Sequence, residues 1–287
     1  MQWYDKLASS LCSKGYTHSN SDYSLFYMKQ RYSLMFVVVY VDDIILTGTD
    51  LEEIASLKAF LHDQFRIKDL GKLHYFLGLE ILYRPDGVLI SQRKFTLDLL
   101  KEFDSIDCKT TTSPLDLVEK LKATEGKLLS DPIHYRKLIG KLNFLSNTRI
   151  DIAYSVQHLS QFLQSPREPH LKASYHVVRY LKQDPTLGIF VSNKPHLNIS
   201  AFCDSNWATC PDSRKSISGY LVIMGNSPIS WKSKKQAIVS LSSVEAEYRA
   251  VRQVVGSQLA DVFTKALTSV KHATLLGKLS VFSSPPT

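Results

Sequence analysis

Two adjacent carboxylates, Asp42 and Asp43, interrupt the most apolar stretch of the chain, VVVYVDDIILTG from Val37 to Gly48. Strand alternation sends their side chains to opposite faces, with Asp42 projecting from a hairpin tip. Carboxylates set side by side in buried strands repel one another, and desolvation raises the cost. A divalent cation resolves the conflict. Mg²⁺ accepts hard oxygen ligands and binds substrate phosphates at the same time. Two such ions about 4 Å apart can activate an attacking hydroxyl and stabilise a leaving pyrophosphate. The plainer reading is a hairpin turn formed by Asp42-Asp43 alone, although a pair without glycine suits a type I′ turn poorly.

A second carboxylate set lies later. Asp204 ends a strand-like run in ISAFCDSNWA, and Glu245 and Glu247 sit in the helical stretch SSVEAEYRA. Two residues apart on a helix, the glutamates diverge by about 200°. Ser242 and Glu245 fit a capping box, which gives Glu245 a structural task. Lys232, Lys234 and Lys235 beside Trp231 could meet phosphates or could form a solvated strand edge, and Arg214 and Lys215 have the same two readings. His134, His158, His170 and His176 fall on amphipathic helices and read as structural.

The elements that must hold these residues follow from periodicity. Trp3, Leu7 and Leu11 recur at helical spacing, and Gly15 stops that helix. Ser24–Met28, Leu34–Val41 and IILTG form a β-meander with the aspartates at its tip. Thr49 opens a helix with the stripe Leu51, Ile54, Leu57, Leu61 and Phe65. Then LGKLHYFLGLEILYRPDGVLISQRKFTLDLL gives strand, turn, strand and helix. Residues 104–130 are irregular. From Asp131 the period is helical: Tyr135, Leu138, Ile139, Leu142 and Leu145 share a face, and the pattern repeats through Val156, Leu159 and Phe162, then Ala173, Val177, Val178 and Leu181. Further strands are expected at Ile199–Cys203, Gly219–Met224, Ile229–Lys232 and Ala237–Leu241, with a helix from Ser243. The tail SVFSSPPT reads as disordered.

With 287 residues, 44% of them hydrophobic and 22% charged, the chain can hold two modest domains. The longest apolar runs are far short of the roughly 20 residues of a membrane span. The N-terminus has no signal-peptide layout. An intracellular location, cytoplasm or nucleus, is expected. The four cysteines are scattered without a CxxC pair, as for free thiols in a reducing compartment. A net charge of +8 favours an anionic partner, nucleic acid above all.

The YVDD stretch between apolar strands resembles the palm motif of reverse transcriptases. QWYDKLASSLCSKGY, VYVDDIILTG, FRIKDLGKLHYFLGLEI, YRKLIGKLNFLSNTRIDIAYSVQHLSQF and HLKASYHVVRYLKQDPTLGI, in that order, resemble the Pol polyprotein of Ty1/copia-type LTR retrotransposons. The resemblance covers nearly the whole chain. It implies an α+β fold: a palm fragment over 1–112, a helical thumb and connection over 113–195, an RNase H-like α/β domain over 196–267, and a tail over 268–287. It also implies RNA-directed DNA synthesis with Mg²⁺ (or Mn²⁺), on an RNA template, a DNA primer and a dNTP. Asp42 and Asp43 would be the catalytic metal ligands, and Tyr40 and Val41 would shape the nucleotide end. ISAFCDSNWA, DSRKSISGYLV, ISWKSKKQAIVSLSSVEAEYRA and QLADVFTKAL resemble the RNase H part, which cleaves the RNA of an RNA–DNA hybrid with two Mg²⁺ ions. There Asp204 matches the first ligand, Glu247 the second in preference to Glu245, and Asp261 the last.

The sequence departs from that pattern in three places. The fingers and first palm strand, with their own aspartate, would precede Met1. Roughly 60 residues, judged against ordinary domain size, are missing between Val255 and Gly256. Asn206 stands where aspartate is common, and Ile150 where proline is usual. Carboxylate sets that bind one metal cluster act as a unit. The expectation is a Pol remnant whose two active sites are both incomplete, with a non-catalytic nucleic-acid-binding remnant or a decayed element without selected function as the alternatives.

Overall fold

Alternation in LMFVVVY sends Met35, Val37 and Val39 into a core and leaves Leu34, Phe36 and Val38 half-buried on the other face. That strand organises the first part of the molecule. The computed structural model describes residues 2–20, 22–116, 120–194, 198–252 and 281–282. The chain divides into two compact units, Met1–Leu73 and His74–Thr287.

The first unit comprises α1 (Gln2–Ser13), β1 (Thr17–His18), β2 (Leu25–Lys29), β3 (Leu34–Tyr40), β4 (Asp43–Gly48) and α2 (Leu51–Phe65). The strands form an antiparallel meander in the order β1-β2-β3-β4. Leu7 and Leu11 of α1 and Leu57 and Leu61 of α2 share one core with Phe26, Met28, Met35, Val37 and Val39. The α2 cap differs from expectation. Asp50 is the capping residue and accepts from the Glu52 and Glu53 N–H groups. Thr49 instead accepts from the Leu34 N–H through its hydroxyl and so ties α2 to the sheet. Leu51, expected on the apolar stripe, is 79% exposed, because the first helical position lies clear of the sheet and burial begins at Ile54.

The second unit comprises β5 (Tyr75–Phe76), β6 (Leu79–Arg84), β7 (Gly87–Ser91), α3 (Arg93–Glu102), α4 (Pro132–Leu145), α5 (Ala153–Leu159), α6 (Glu168–Gln183), β8 (Gly188–Ser192), β9 (Ile199–Asn206), β10 (Ile217–Met224), β11 (Ser227–Lys235), α7 (Ser243–Val251) and β12 (Val281–Phe282). Short 3₁₀ turns at Ile150–Ile152 and Ser160–Phe162 flank α5. One antiparallel sheet runs β12-β8-β7-β6-β5 and a second runs β11-β10-β9. Tyr135, Leu138, Ile139, Leu142 and Leu145 of α4 are all buried, as their spacing requires, in one cluster with Leu99, Val156, Leu159, Val177 and Leu181.

Four features differ from the sequence reading. The division at Leu73 lies inside the segment 1–112, because β7 pairs with β8 and Leu99, Leu100 and Phe103 of α3 and its end join the α4–α6 core. Strand β8 had no counterpart among the expected elements. Ala237–Leu241 is not a strand. Val281–Phe282, within the tail read as disordered, pairs with β8.

Gly188 marks the point where α6 hands over to β8. A Cβ there would lie 2.2 Å from the Ile90 carbonyl oxygen of β7. Gly188→Ala is therefore expected to cost roughly 1–3 kcal/mol through overpacking against a backbone that cannot yield. Urea unfolding of the variant measures it, and an unchanged midpoint would show that the two strands separate easily.

Candidate functional site

The YVDD stretch forms the tip of the β3–β4 hairpin. Tyr40 pairs with Asp43, so the two-residue loop is Val41-Asp42 and Asp43 is the first residue of β4. This corrects the turn reading, in which the two aspartates themselves made the loop. Val41 has φ +51°, the left-handed region that a β-branched residue rarely enters. A positive φ at the first loop residue matches the twist that a tight hairpin needs. The hairpin thus holds a local strain at the residue next to the carboxylates.

Both aspartates are exposed, which overturns the premise that they lie desolvated within the sheet. The flanking apolar residues are there for a different reason. Val37 and Val39 bury against α1 and α2 and make a stiff support, while the tip emerges into solvent. Neither aspartate side chain has a hydrogen bond or ion pair with another described residue. Tyr40 is 48% exposed and Val41 71% exposed. Two hard, solvated carboxylates on one rigid tip are the donor type a divalent cation takes, and they fit it as part of a ligand set. Among the described residues, no group of three or more histidine, cysteine, aspartate or glutamate side chains could hold a metal.

Replacing Val41 by glycine is expected to leave the melting temperature unchanged or raise it slightly, since relief of about 1–2 kcal/mol of left-handed strain offsets the extra chain entropy. Val39→Gly, at the buried position two residues earlier, is expected to lower it clearly. Equal losses from both variants would remove the strain argument.

The second set gathers at the outer strand β9. Asp204 lies within that strand rather than at its end, and Glu247 on α7 accepts from the Ser205 N–H through Oε1 at 3.3 Å. Burial pushes the Cys203 thiol up, and the Glu247 and Asp204 charges add to it, so both carboxylates act on one thiol. Glu245 points elsewhere. It accepts the Leu241 N–H at 2.8 Å and forms an ion pair with Arg249 at 2.6 Å, while Ser242 accepts the Glu245 N–H. These bonds hold its carboxyl below the usual range, the Leu241 N–H first and Arg249 next. The structure brings Asp204 and Glu247 together and assigns Glu245 to the helix start. Asp261 and the Val255–Gly256 junction lie outside the described residues.

Of the lysine run, Lys232 and Lys234 are exposed, but Lys235 reaches the Cys210 sulfur at 3.5 Å. The Trp231 indole N–H donates to the Ser146 carbonyl at 3.0 Å. All four cysteines are free thiols. No helix among the described residues is long and apolar enough to cross a membrane.

Sequence reasoning missed the most buried charged pair among the described residues. Arg149 donates through Nε and Nη2 to Asp151 at 3.0 and 2.7 Å, and through Nη1 to the Asp184 carbonyl at 2.9 Å. Each residue is 1% exposed. The available signal was a cation and an anion two residues apart among isoleucines, in NTRIDIAY, where charge is costly unless paired.

Residues 1–117 match the family model described as reverse transcriptase (RNA-dependent DNA polymerase). The retrovirus-related Pol polyprotein from transposon RE1 of Arabidopsis thaliana is 43% identical over 87% of this chain and 17% of its own length. An uncharacterized mitochondrial protein of the same plant is 38% identical over 76% of this chain and 90% of its own. The chain belongs to the Ty1/copia-type reverse transcriptase family. The corresponding polyprotein from transposon RE2 is 41% identical, again over 17% of its length, so this family member spans about a sixth of the polyproteins it matches. No solved structure matches the chain. The fold, mixed α and β, agrees with a reverse transcriptase fragment, and the YVDD hairpin lies within the matched residues.

Proposed function

We propose that this chain is a Pol-derived segment that carries the catalytic hairpin of an RNA-directed DNA polymerase, with Asp42 and Asp43 as ligands of the catalytic metal. The observation that carries this reading is the exposed, unpaired carboxylate pair on a strained tip that the buried strand β3 holds fixed. Bound there, Mg²⁺ or Mn²⁺ would supply a lowered primer-hydroxyl pKa and charge neutralisation at the leaving pyrophosphate. Asp42 and Asp43 would hold that ion, and Tyr40 and Val41 would bound the nucleotide end of the palm, where template RNA and primer DNA meet. Asp204 and Glu247 form part of an RNase H-like site for the RNA–DNA hybrid, with Asp261 a candidate for the same set.

The described residues bring two carboxylates to each site, and metal sets of this kind act as units. By itself the chain is expected to bind a divalent cation weakly and to extend no primer. Paramagnetic broadening by Mn²⁺ tests the first point: backbone resonances of Val41 to Asp43 are expected to broaden selectively, and Asp42→Asn with Asp43→Asn to abolish it. Broadening spread evenly over all surface acids would refute the metal assignment. Primer extension on an RNA template, lost in the same double variant, would refute inactivity instead.

A second reading is a binding role without catalysis, supported by the net charge of +8 and the exposed Lys232 and Lys234. It requires RNA–DNA hybrid binding whose log affinity falls with log salt by about 0.9 per phosphate neutralised. No complex at low salt would exclude it.

A further inference from the structure

A cleft of about 520 Å³ opens in the second unit between α5, α6, the end of β9 and the lining residues Thr111, Leu115, Asp116, Lys120 and Leu121. Neither Asp204 nor Glu247 is among its lining residues, and the proposed polymerase chemistry makes no use of it. Among its described lining residues, Lys120, Lys172 and Arg179 stand against one carboxylate, Asp116, so that lining is net positive. Lys172 and Arg179 project from α6 two turns apart, on the face that also carries His176.

Part of the polar lining is held by the fold: the His176 Nε2 meets the Ser113 carbonyl at 3.0 Å, and the Thr209 hydroxyl donates to the Asn206 carbonyl at 2.8 Å. The Arg179 Nε and the His158 Nδ1 are both closed off from water and lack a hydrogen-bond partner. Arg179 as a whole makes no hydrogen bond or ion pair with another described residue. A guanidinium that is half-buried without an anion is costly, and each orphan donor carries a desolvation penalty. By contrast, the buried Arg149 of the same unit has all its groups engaged. Leu115, Leu121 and Ala173 give the cleft an apolar floor beside the Tyr154 ring, and Asn206 and Thr209 add neutral hydrogen-bonding groups at its rim.

We propose that this cleft binds a phosphate ester, with Arg179 as the principal anion ligand, Lys120 and Lys172 as supporting charges, and the apolar floor and Tyr154 ring against the organic part. A planar guanidinium matches two phosphate oxygens at once, which a lysine cannot do. The mixed lining distinguishes the cleft from a plain basic surface, which would take any polyanion equally. The phosphate can belong to a free nucleotide or to the 5′ end of an oligonucleotide, and the two differ in what lies beyond the ester.

Isothermal titration calorimetry on the full chain decides. The probes are AMP, pyrophosphate, and a short oligonucleotide with and without a 5′-phosphate. The expected result is binding of AMP or the 5′-phosphorylated strand, weakened at least tenfold in Arg179→Gln and several-fold in Lys120→Gln. Lys29→Gln, a surface charge change in the first unit, is expected to leave it intact. AMP bound more tightly than the phosphorylated strand identifies a free nucleotide as the source, and the reverse order identifies a strand end. Lys120 is exposed, so its variant keeps the test open if Arg179→Gln does not fold. No heat with any phosphate probe, equal binding of the 5′-hydroxyl strand, or equal losses in all three variants overturns the proposal.

Discussion

Asp151→Ala is expected to destabilise the second unit by about 3–5 kcal/mol, the usual consequence of stripping one partner from a buried ion pair. The guanidinium of Arg149 would remain buried, with the Asp184 carbonyl and the Tyr180 side chain, whose ring lies 5.6 Å away, left to hold it. Burial alone would lower the Arg149 pKa, but Asp151 more than offsets this and holds it above its ordinary value. Once Asp151 is gone, only the smaller contribution of Tyr180 is left to oppose burial. The pair clamps the loop after α4 to the end of α6, so its loss loosens both helices together. The control is the double variant Arg149→Met, Asp151→Leu, which leaves no uncompensated charge and is expected to recover most of the stability. Equilibrium unfolding in urea measures all three proteins. A single variant within about 1 kcal/mol of the parent would show that Arg149 finds water or another anion.

Acid is expected to weaken the same unit through His158. Its ring stacks on Tyr154 at 5.9 Å and meets Phe162 edge-on at 5.8 Å. Burial first, then the charges of Lys235 and His170, push its pKa down to about 4, while Asp212 pulls the other way. The unfolded chain takes up the proton near pH 6.5, where the folded chain refuses it. The stability present above pH 6.5 is therefore lost as pH falls towards 4, by on the order of 3 kcal/mol over that window. His170 is shifted in the same direction, mainly by burial, and steepens the loss. His158→Phe is expected to flatten the slope of unfolding free energy between pH 6.5 and 4.5. An unaltered slope in that variant would place the acid sensitivity elsewhere.

Much of this fold was legible because its helices bury continuous stripes. Tyr135, Leu138, Ile139, Leu142 and Leu145 could lie only on one face, and they do. The β3–β4 hairpin was equally plain from VVVY and IIL. Ala237–Leu241 misled because β-branched residues favour strands only where a partner and a buried face exist. There Ile238, Val239 and Leu241 are exposed, and polar side chains fix the backbone instead: Gln236 donates to Ser218 and to the Ala246 carbonyl, and Ser240 donates to Gln236. Strand β8 escaped notice because five residues beginning with glycine carry little pattern, and their partner β7 is remote in sequence.

At the site, residue type and order located the YVDD hairpin, but two features needed coordinates. Which residues form the loop depends on register, and register placed Val41 rather than Asp43 in it. The separation of Glu245 from Glu247 depended on Arg249, one helical turn after Glu245. The cleft around Arg179 has no local signature, since its lining comes from four separate segments.

The β7–β8 ladder also sets the order in which the second unit can assemble. Ser91 pairs with Gly188, so every residue of α3 to α6 lies in the loop that the pairing closes. Closure of so long a loop carries an entropic cost that grows with the logarithm of its length, and contacts distant in sequence slow folding. The helices, whose contacts are nearer in sequence, are placed to collapse first and bring the two strand ends together. Strand pairing then becomes the late step, and substitutions at Ile189 or Leu89 should speed unfolding, whereas those at Leu138 or Val177 should slow refolding.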